Sequence, residues 1–431
     1  MSYYKLTYKI IFANLFIGTI FLSDFGFIIM GQPIYFFQLL GLFYLTLLLI
    51  NKPVIEKGWF ILFISVLFSI IVNNSLFFED RQFAGDTYPW TSIKGFLNII
   101  IFYAVFKTTL FAYSKINPSF FLYLSIFMII YGFLELFFSS NELIRQILQF
   151  FHTNPKALNK NSISLLGREH SYGSIGYIIS ALILFNFYLK KIFVGYKEIL
   201  ALICIGLLIF FVILAKSKVA YFGLIFFFIL FFSLLLKKKI SVRFLFGVFF
   251  FSIIFFLIIL QIIKNNFFYD IVEAISGNIG SGSTFIRFNN LYIGFSIWLE
   301  NPFFGVGIGN YKLFYVDHIY KLDLPIILDL KILVDPEYEG SVDPLNFFVG
   351  ILCELGIFIF VFMFYLIFKK IIILLFLNNL DFRNIPMSVL IAPIILAASF
   401  GFYYWAVSFF PFFLAILHFY YKNYLKKKLK F

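Results

Sequence analysis

An all-α, polytopic membrane fold is the class this sequence predicts, and three observations predict it. Of 431 residues, 62% are apolar and only 13% are charged, against about 25% charged in a soluble domain. Mean hydropathy is +0.98. The apolar residues also lie in continuous runs near the ~20 residues that a transmembrane helix needs, not in the alternation of a membrane barrel. No single soluble core could hide this much apolar surface. A disordered chain would lack the 69 Phe and 27 Tyr.

The runs, bounded by charge and by turn residues, predict about twelve spans: 6–23, 33–50, 58–73, 93–111, 118–138, 172–189, 198–215, 218–236, 242–263, 345–368, 386–401 and 403–421. The last two can equally form one hairpin with its tip at Gly401–Trp405. The whole chain, 1–431, reads as one membrane domain. Asp24, Glu135 and Glu354 fall in or near spans. The first run has a basic flank but no small-residue cleavage site after it, so it reads as a retained span.

Charge sets the orientation. With the amino terminus inside, 21 of the 34 Lys and Arg fall on inner segments, and every short inner loop is basic. Both termini are then cytoplasmic. A net charge of +13 would point to nucleic acid in a soluble protein; distributed over these loops it orients helices, and no nucleic-acid partner is expected. Cys204 and Cys353 both lie within spans, which argues against a structural disulfide, and no zinc spacing is present.

Three outer segments hold most of the polar chain: 74–92, 139–171 and, longest, 264–344, where short amphipathic helices are expected. In the second, 142–151 reads as an interfacial helix. Leu143, Ile144, Ile147, Leu148 and Phe151 share a face opposite Glu142, Arg145 and Gln149. Gly167-Arg168-Glu169-His170-Ser171-Tyr172 follows, immediately before a span. It is either an interfacial anchor or a site, because ionisable groups at membrane depth are functional candidates. Lys216-Ser217-Lys218 is an outer turn carrying cations against the positive-inside pattern. It either snorkels to lipid phosphates or holds an anion.

The most distinctive stretch lies in the third segment. Ser281 or Ser283 can cap a helix on which Phe285, Phe288, Tyr292, Phe295 and Leu299 line one face. Arg287, Asn290 and Gly294 line another. Pro302 ends that helix, and Gly305, Gly307 and Gly309 follow Asn301-Pro302. Alternate glycines permit positive φ or close backbone approach. Read alone, the run is a structural turn. It is not a dinucleotide fingerprint, because no strand or βαβ unit surrounds it.

Taken together, these residues resemble the O-antigen polymerase and O-antigen ligase family of bacterial polysaccharide assembly. The resemblance rests on Ser281 to Arg287, on Asn301, Pro302, Gly305, Gly307 and Gly309, and on Asn346, Leu352, Glu354 and Gly356 in a segment similar to His-Asn-x-x-Leu-x-x-Leu-x-Glu-x-Gly. Leu345 stands where that pattern has His. Arg168-Glu169-His170-Ser171 resembles a Glu-x-Ser motif, and Lys216-Ser217-Lys218 sits where the family often has Ser-Arg or Ser-Lys. The match is patchy and covers about 164–360.

The resemblance implies glycosyl transfer on the periplasmic face of the bacterial inner membrane. An undecaprenyl-diphosphate-linked glycan would be the donor, a second one the acceptor, and a chain-length regulator a further partner. The missing His favours polymerase over ligase, because the ligase branch uses that His. Arg168 and Arg287 are the expected phosphate-binding cations, with Lys216 and Lys218 adding charge. Glu169 or His170 is the favoured base; His318 and Asp343 are alternatives. Asn301, Gly305, Gly307, Gly309 and Asn346 complete the expected substrate site, and Glu354 reads as a buried hydrogen-bonding strut. No acidic cluster calls for a divalent metal, so metal-independent, cofactor-free transfer is expected. Two rivals remain: a lipid-glycan flippase or transporter, and a glycosyltransferase of another type using Glu79-Asp80.

Overall fold

The computed structural model describes residues 2–22, 24–29, 32–51, 55–76, 82–83, 86–87, 90–138, 141–152, 165–166, 170–235, 282–322, 346–376, 386–399 and 409–428. These are mostly helical. In chain order they form α1 (Ser2–Phe21), β1 (Gly26–Ile29), β2 (Gln32–Tyr35), α2 (Phe36–Asn51), α3 (Lys57–Leu76), β3 (Gln82–Phe83) and β4 (Asp86–Thr87). Next come α4 (Trp90–Tyr113), α5 (Pro118–Phe138), α6 (Glu142–Gln149), α7 (His170–Leu189), α8 (Tyr196–Leu214) and α9 (Lys218–Leu235). The last are α10 (Gly282–Glu300), α11 (Tyr311–Lys321), α12 (Phe347–Phe376), α13 (Met387–Ser399) and α14 (Phe409–Lys428).

Each predicted span except 242–263, which lies outside the described residues, coincides with one of these helices. Four are long and apolar enough to cross a membrane by length and composition: Trp90–Tyr113, Pro118–Phe138, Tyr196–Leu214 and Phe347–Leu374. The last two predicted spans correspond to α13 and α14, and the hairpin tip expected at Gly401–Trp405 lies outside the described residues. The interfacial helix is present as α6, capped by Asn141, whose side chain accepts from the Leu143 and Ile144 N–H groups.

Two short hairpins qualify the all-α expectation. β1 pairs with β2 antiparallel, Gly26 opposite Tyr35 and Ile29 opposite Gln32, and β3 pairs with β4. Gly26 suits the first pair, since a Cβ there would lie 2.2 Å from the Ile34 carbonyl oxygen. Phe25 stacks on Phe36 at 4.5 Å and touches Phe150 and Phe151, so the base of the hairpin rests on the end of α6.

α7 is the central helix: every described side chain from Gly173 to Phe187 is buried. Ser125 on α5 meets Ser180 on α7 at 2.8 Å, a hydrogen bond between helices that hydrocarbon cannot replace. Ile61, Ile64, Phe68 and Ile71 on α3 are exposed, as a lipid-facing surface requires. One end of the bundle gathers contacts of charged side chains. Lys107 pairs with Glu56 at 2.5 Å, and the Tyr103 hydroxyl donates to the same carboxylate. Nearby, Lys190 reaches Tyr420, and Lys370 reaches His418.

The span predicted over 345–368 is corrected in one respect: α12 is broken at Gly356, with φ 75° and ψ 177°. In a straight helix Phe348 and Phe364 would be about 24 Å apart; here their rings are 4.9 Å apart. The arm 347–355 therefore folds back beside the arm 357–376. At its head, α9, α12, α13 and α14 line a half-open apolar pocket of about 280 Å3, walled by Phe226, Phe348, Phe364, Ile371, Pro393 and Phe413 among others.

A backbone of φ 75° and ψ 177° is open essentially to glycine alone, and a Cβ at Gly356 would lie 2.1 Å from the Phe303 carbonyl oxygen. Gly356→Ala is expected to cost about 3 kcal/mol or more. It should lower the melting temperature of the detergent-purified protein by several degrees. An unchanged melting curve would show that the break is not needed.

Candidate functional site

The break in α12 leaves carbonyls without helical donors, and the glycine run supplies them. The Val306 N–H donates to the Cys353 carbonyl and the Gly307 N–H to the Glu354 carbonyl, both at 2.9 Å. The freed Ile357 N–H donates in turn to the Pro302 carbonyl at 2.9 Å. Contact this close needs glycine twice over. Gly305, Gly307 and Gly309 all have positive φ, at 66°, 90° and 77°. A Cβ on Gly305 would lie 2.5 Å from the Cys353 oxygen, and one on Gly309 would lie 2.4 Å from the Thr91 oxygen.

The loop is held from three further directions. Buried Asn310 accepts from Thr91 and Ser92 of α4 through Oδ1 and donates to the Val306 carbonyl through Nδ2. The Ser69 hydroxyl of α3 donates to the Phe304 carbonyl at 3.1 Å. Asn301 closes α10, its N–H donating to the Trp298 carbonyl and its carbonyl accepting from Gly305. Glu354 is 1% exposed and accepts the Tyr311 N–H at the start of α11, which agrees with a strut. Asn346 caps α12, its Oδ1 accepting from the Phe348 and Val349 N–H groups.

Arg287 lies on α10 in register with Asn290 and Gly294. Asn290 is buried, and a Cβ on Gly294 would lie 2.2 Å from a Val349 methyl on the short arm of α12. Asn289 is also buried, and its amide nitrogen has no hydrogen-bond partner among the described residues. Sequence reading passed over Asn289, since its neighbours Arg287 and Asn290 carried the face pattern. His318 is buried on α11 and not solvated; its Nδ1 is 2.8 Å from the Phe314 carbonyl and its Nε2 is 3.3 Å from Glu300.

A second polar group gathers on α5. His152, just past α6, lies between Asp24 and Tyr131: Nδ1 is 2.9 Å from Asp24 Oδ2, and Nε2 is 2.5 Å from the Tyr131 hydroxyl. All three are buried. One turn along α5, buried Glu135 accepts the Leu165 N–H at 3.0 Å. Leu165 and Leu166 both have positive φ, 53° and 62°, which costs about 1–3 kcal/mol each for non-glycine residues. The sequence flagged Asp24 and Glu135 as acids near spans, but nothing in it pairs position 24 with 152.

Arg168 and Glu169 lie outside the described residues, as does Asp343; His170 begins α7. Lys216 is exposed, with φ 54° after the last turn of α8, and Ser217 caps α9 by accepting the Ala220 N–H. Lys218 is the first residue of α9. The start of α7 and the head of α12 converge on one aromatic pair. A Cβ on Gly176 would lie 3.0 Å from Phe409, and the Phe347 ring is 4.2 Å from that of Phe410.

Fold and sites together define a multi-pass membrane protein whose broken helix is stitched by a glycine loop, beside a helix carrying an Arg and a buried amide without a partner among the described residues. Residues 201–364 match a family model described as O-antigen ligase, in agreement with the resemblance seen in the motifs. That range contains Lys216, Lys218, Arg287, the glycine loop, Asn346 and Gly356, and it excludes Arg168 to His170 and the Asp24–His152–Tyr131 group. It offers no support for a chain-length regulator. No curated protein matches the chain.

Glu300 joins α10 to α11 through Lys321 and His318. The hydrogen bond from Lys321, with the charges of His318 and Lys321, holds its carboxyl below the usual carboxylate range. A lowered carboxyl contributes stability above its unfolded value of about 4.3 and loses it as pH falls through the folded value. Amide protection of Tyr311–Lys321 is therefore expected to stay constant down to about pH 5 and to fall below about pH 4. Constant protection at pH 3 would contradict this account of the clasp.

Proposed function

We propose that this chain polymerises oligosaccharide units carried on undecaprenyl diphosphate, by metal-independent glycosyl transfer on the periplasmic face of the bacterial inner membrane. The observation that carries this reading is the match over 201–364. That range holds Arg287 and the glycine loop, while Leu345 replaces the His of the ligase-like pattern. The apolar pocket at the head of α12 offers surface for part of a prenyl chain.

The chemistry follows from the leaving group. As the acceptor hydroxyl attacks the anomeric carbon, the bond to the diphosphate breaks and negative charge grows on the departing oxygen. Arg287 and Arg168 offset that charge with bidentate hydrogen bonds; Lys216 and Lys218 add to the field. Glu169 or His170 takes the hydroxyl proton. Asn301, Gly305, Gly307, Gly309 and Asn346 shape the donor site, largely by holding α10 against α12, and the amide of Asn289 remains for the glycan or diphosphate.

Twelve spans, with both termini cytoplasmic and 264–344 periplasmic, complete the reading. Its support is the agreement between basic inner loops and described helices. Alkaline phosphatase fused after residue 320 is expected to be active; an inactive fusion overturns this topology.

The alternative is transfer of finished glycan to a lipid A-core acceptor, with which the family match is equally consistent. Deletion separates the two. Single units left on the core indicate a polymerase, and intact polymer stranded on the carrier indicates a ligase. Units trapped inside the cell would instead indicate a flippase. Arg287→Ala and Arg168→Ala are each expected to abolish long-chain polysaccharide with normal membrane levels of the protein. Normal chain length in Arg287→Ala would remove the phosphate role assigned to it.

A further inference from the structure

The polar group on α5 lies outside the matched range, yet several of the chain's most demanding features meet there. Asp24, Glu135 and His152 are ionisable and buried in a bundle built to exclude charge. Burying such groups is unfavourable unless each is paired. Two consecutive leucines beside them hold left-handed backbone. Strain of this kind persists only where the surroundings over-determine it, and it clusters where a fold positions something.

We infer that the Tyr131–Glu135 face of α5, with Asp24 and His152, is a positioning element for glycosyl transfer. The inference rests on the function proposed above. Tyr131 and Glu135 are one helical turn apart, so they lie on the same face of α5. Tyr131 holds His152, which Asp24 orients from the other ring nitrogen. Glu135 holds the main chain at Leu165. The face therefore fixes two points of the second outer segment, one on each side of 153–164. The second point is five residues before His170, where α7 begins. Since Leu165 and Leu166 are themselves buried, they cannot relax outward to release the turn. Glu135 thus anchors the chain at Leu165, three residues before Arg168 in sequence, and none of the four holding groups need touch the substrate.

A turnover assay tests this. The wild-type protein, in detergent, is given the lipid-linked glycan that accumulates in cells lacking this chain. Glu135→Ala removes the acceptor for the Leu165 N–H and is expected to lower kcat at least about tenfold, with KM within about twofold. Glu135→Gln keeps an oxygen acceptor and is expected to recover to within about threefold of wild type. Wild-type turnover in Glu135→Ala overturns the inference. So does a Gln variant as slow as the Ala variant, because charge and not the hydrogen bond would then matter. A defect confined to KM also overturns it. If Glu135→Ala does not reach the membrane, Tyr131→Phe decides, since it keeps the ring and loses only the bond to His152; about a fivefold lower kcat is expected, and an unchanged kcat overturns the inference. Failure of the wild type itself to extend or transfer the glycan would count against the proposed function, whatever the variants do.

Discussion

A helix cannot break inside a membrane protein without leaving polar backbone groups to be satisfied, because hydrocarbon offers no donors or acceptors. The exchange of hydrogen bonds at Gly356 meets that requirement. Two carbonyls orphaned by the break accept from Val306 and Gly307, and the freed Ile357 N–H finds Pro302. Much else follows. The short arm of α12 can fold back on the long one. The head of that arm can carry Asn346 down to the aromatic pair Phe409–Phe410. α10, with Arg287, is held against α12 through Gly294 and Val349.

The glycines thus serve the site through the fold. A motif of alternating glycines beside an Arg suggests a cradle for phosphate, and Gly305, Gly307 and Gly309 do have the positive φ that such a cradle uses. The Gly307 N–H nevertheless goes to the broken helix and the Gly305 N–H to Asn301, while the open faces of Gly305 and Gly309 lie against the broken helix and Thr91 of α4. Asn310 then ties the loop to α4, and Ser69 ties it to α3. Among the described residues, polar side chains such as Thr91, Ser125 and Asn310 join helices. That is expected where van der Waals packing and interhelical hydrogen bonds, and not the hydrophobic effect, hold the elements together.

The two polar groups have different supports. The glycine loop and α12 form a backbone-to-backbone junction, insensitive to protonation. The group on α5 is built from ionisable side chains in a row, with His152 between Asp24 and Tyr131. The central helix α7 links the two regions: it begins at His170, just past the turn that Glu135 holds, and two turns on it meets Phe409, the neighbour of the residue on which the head of α12 rests.

Hydropathy alone determined where most helices lie. A run of apolar residues long enough to cross a membrane has few other stable forms, so the predicted spans and described helices coincide wherever both exist. Periodicity found α6 and the two faces of α10, and glycine spacing announced close backbone approach at 305–309. Sequence did not announce the break at Gly356, because a glycine in an apolar run is unremarkable until a second segment arrives to take over its hydrogen bonds. Nor did it announce the hairpins or the pairing of Asp24 with His152. Local pattern determines which segments become helices; only the tertiary structure decides which backbone and polar groups, far apart in the chain, must meet because neither lipid nor water is there to satisfy them.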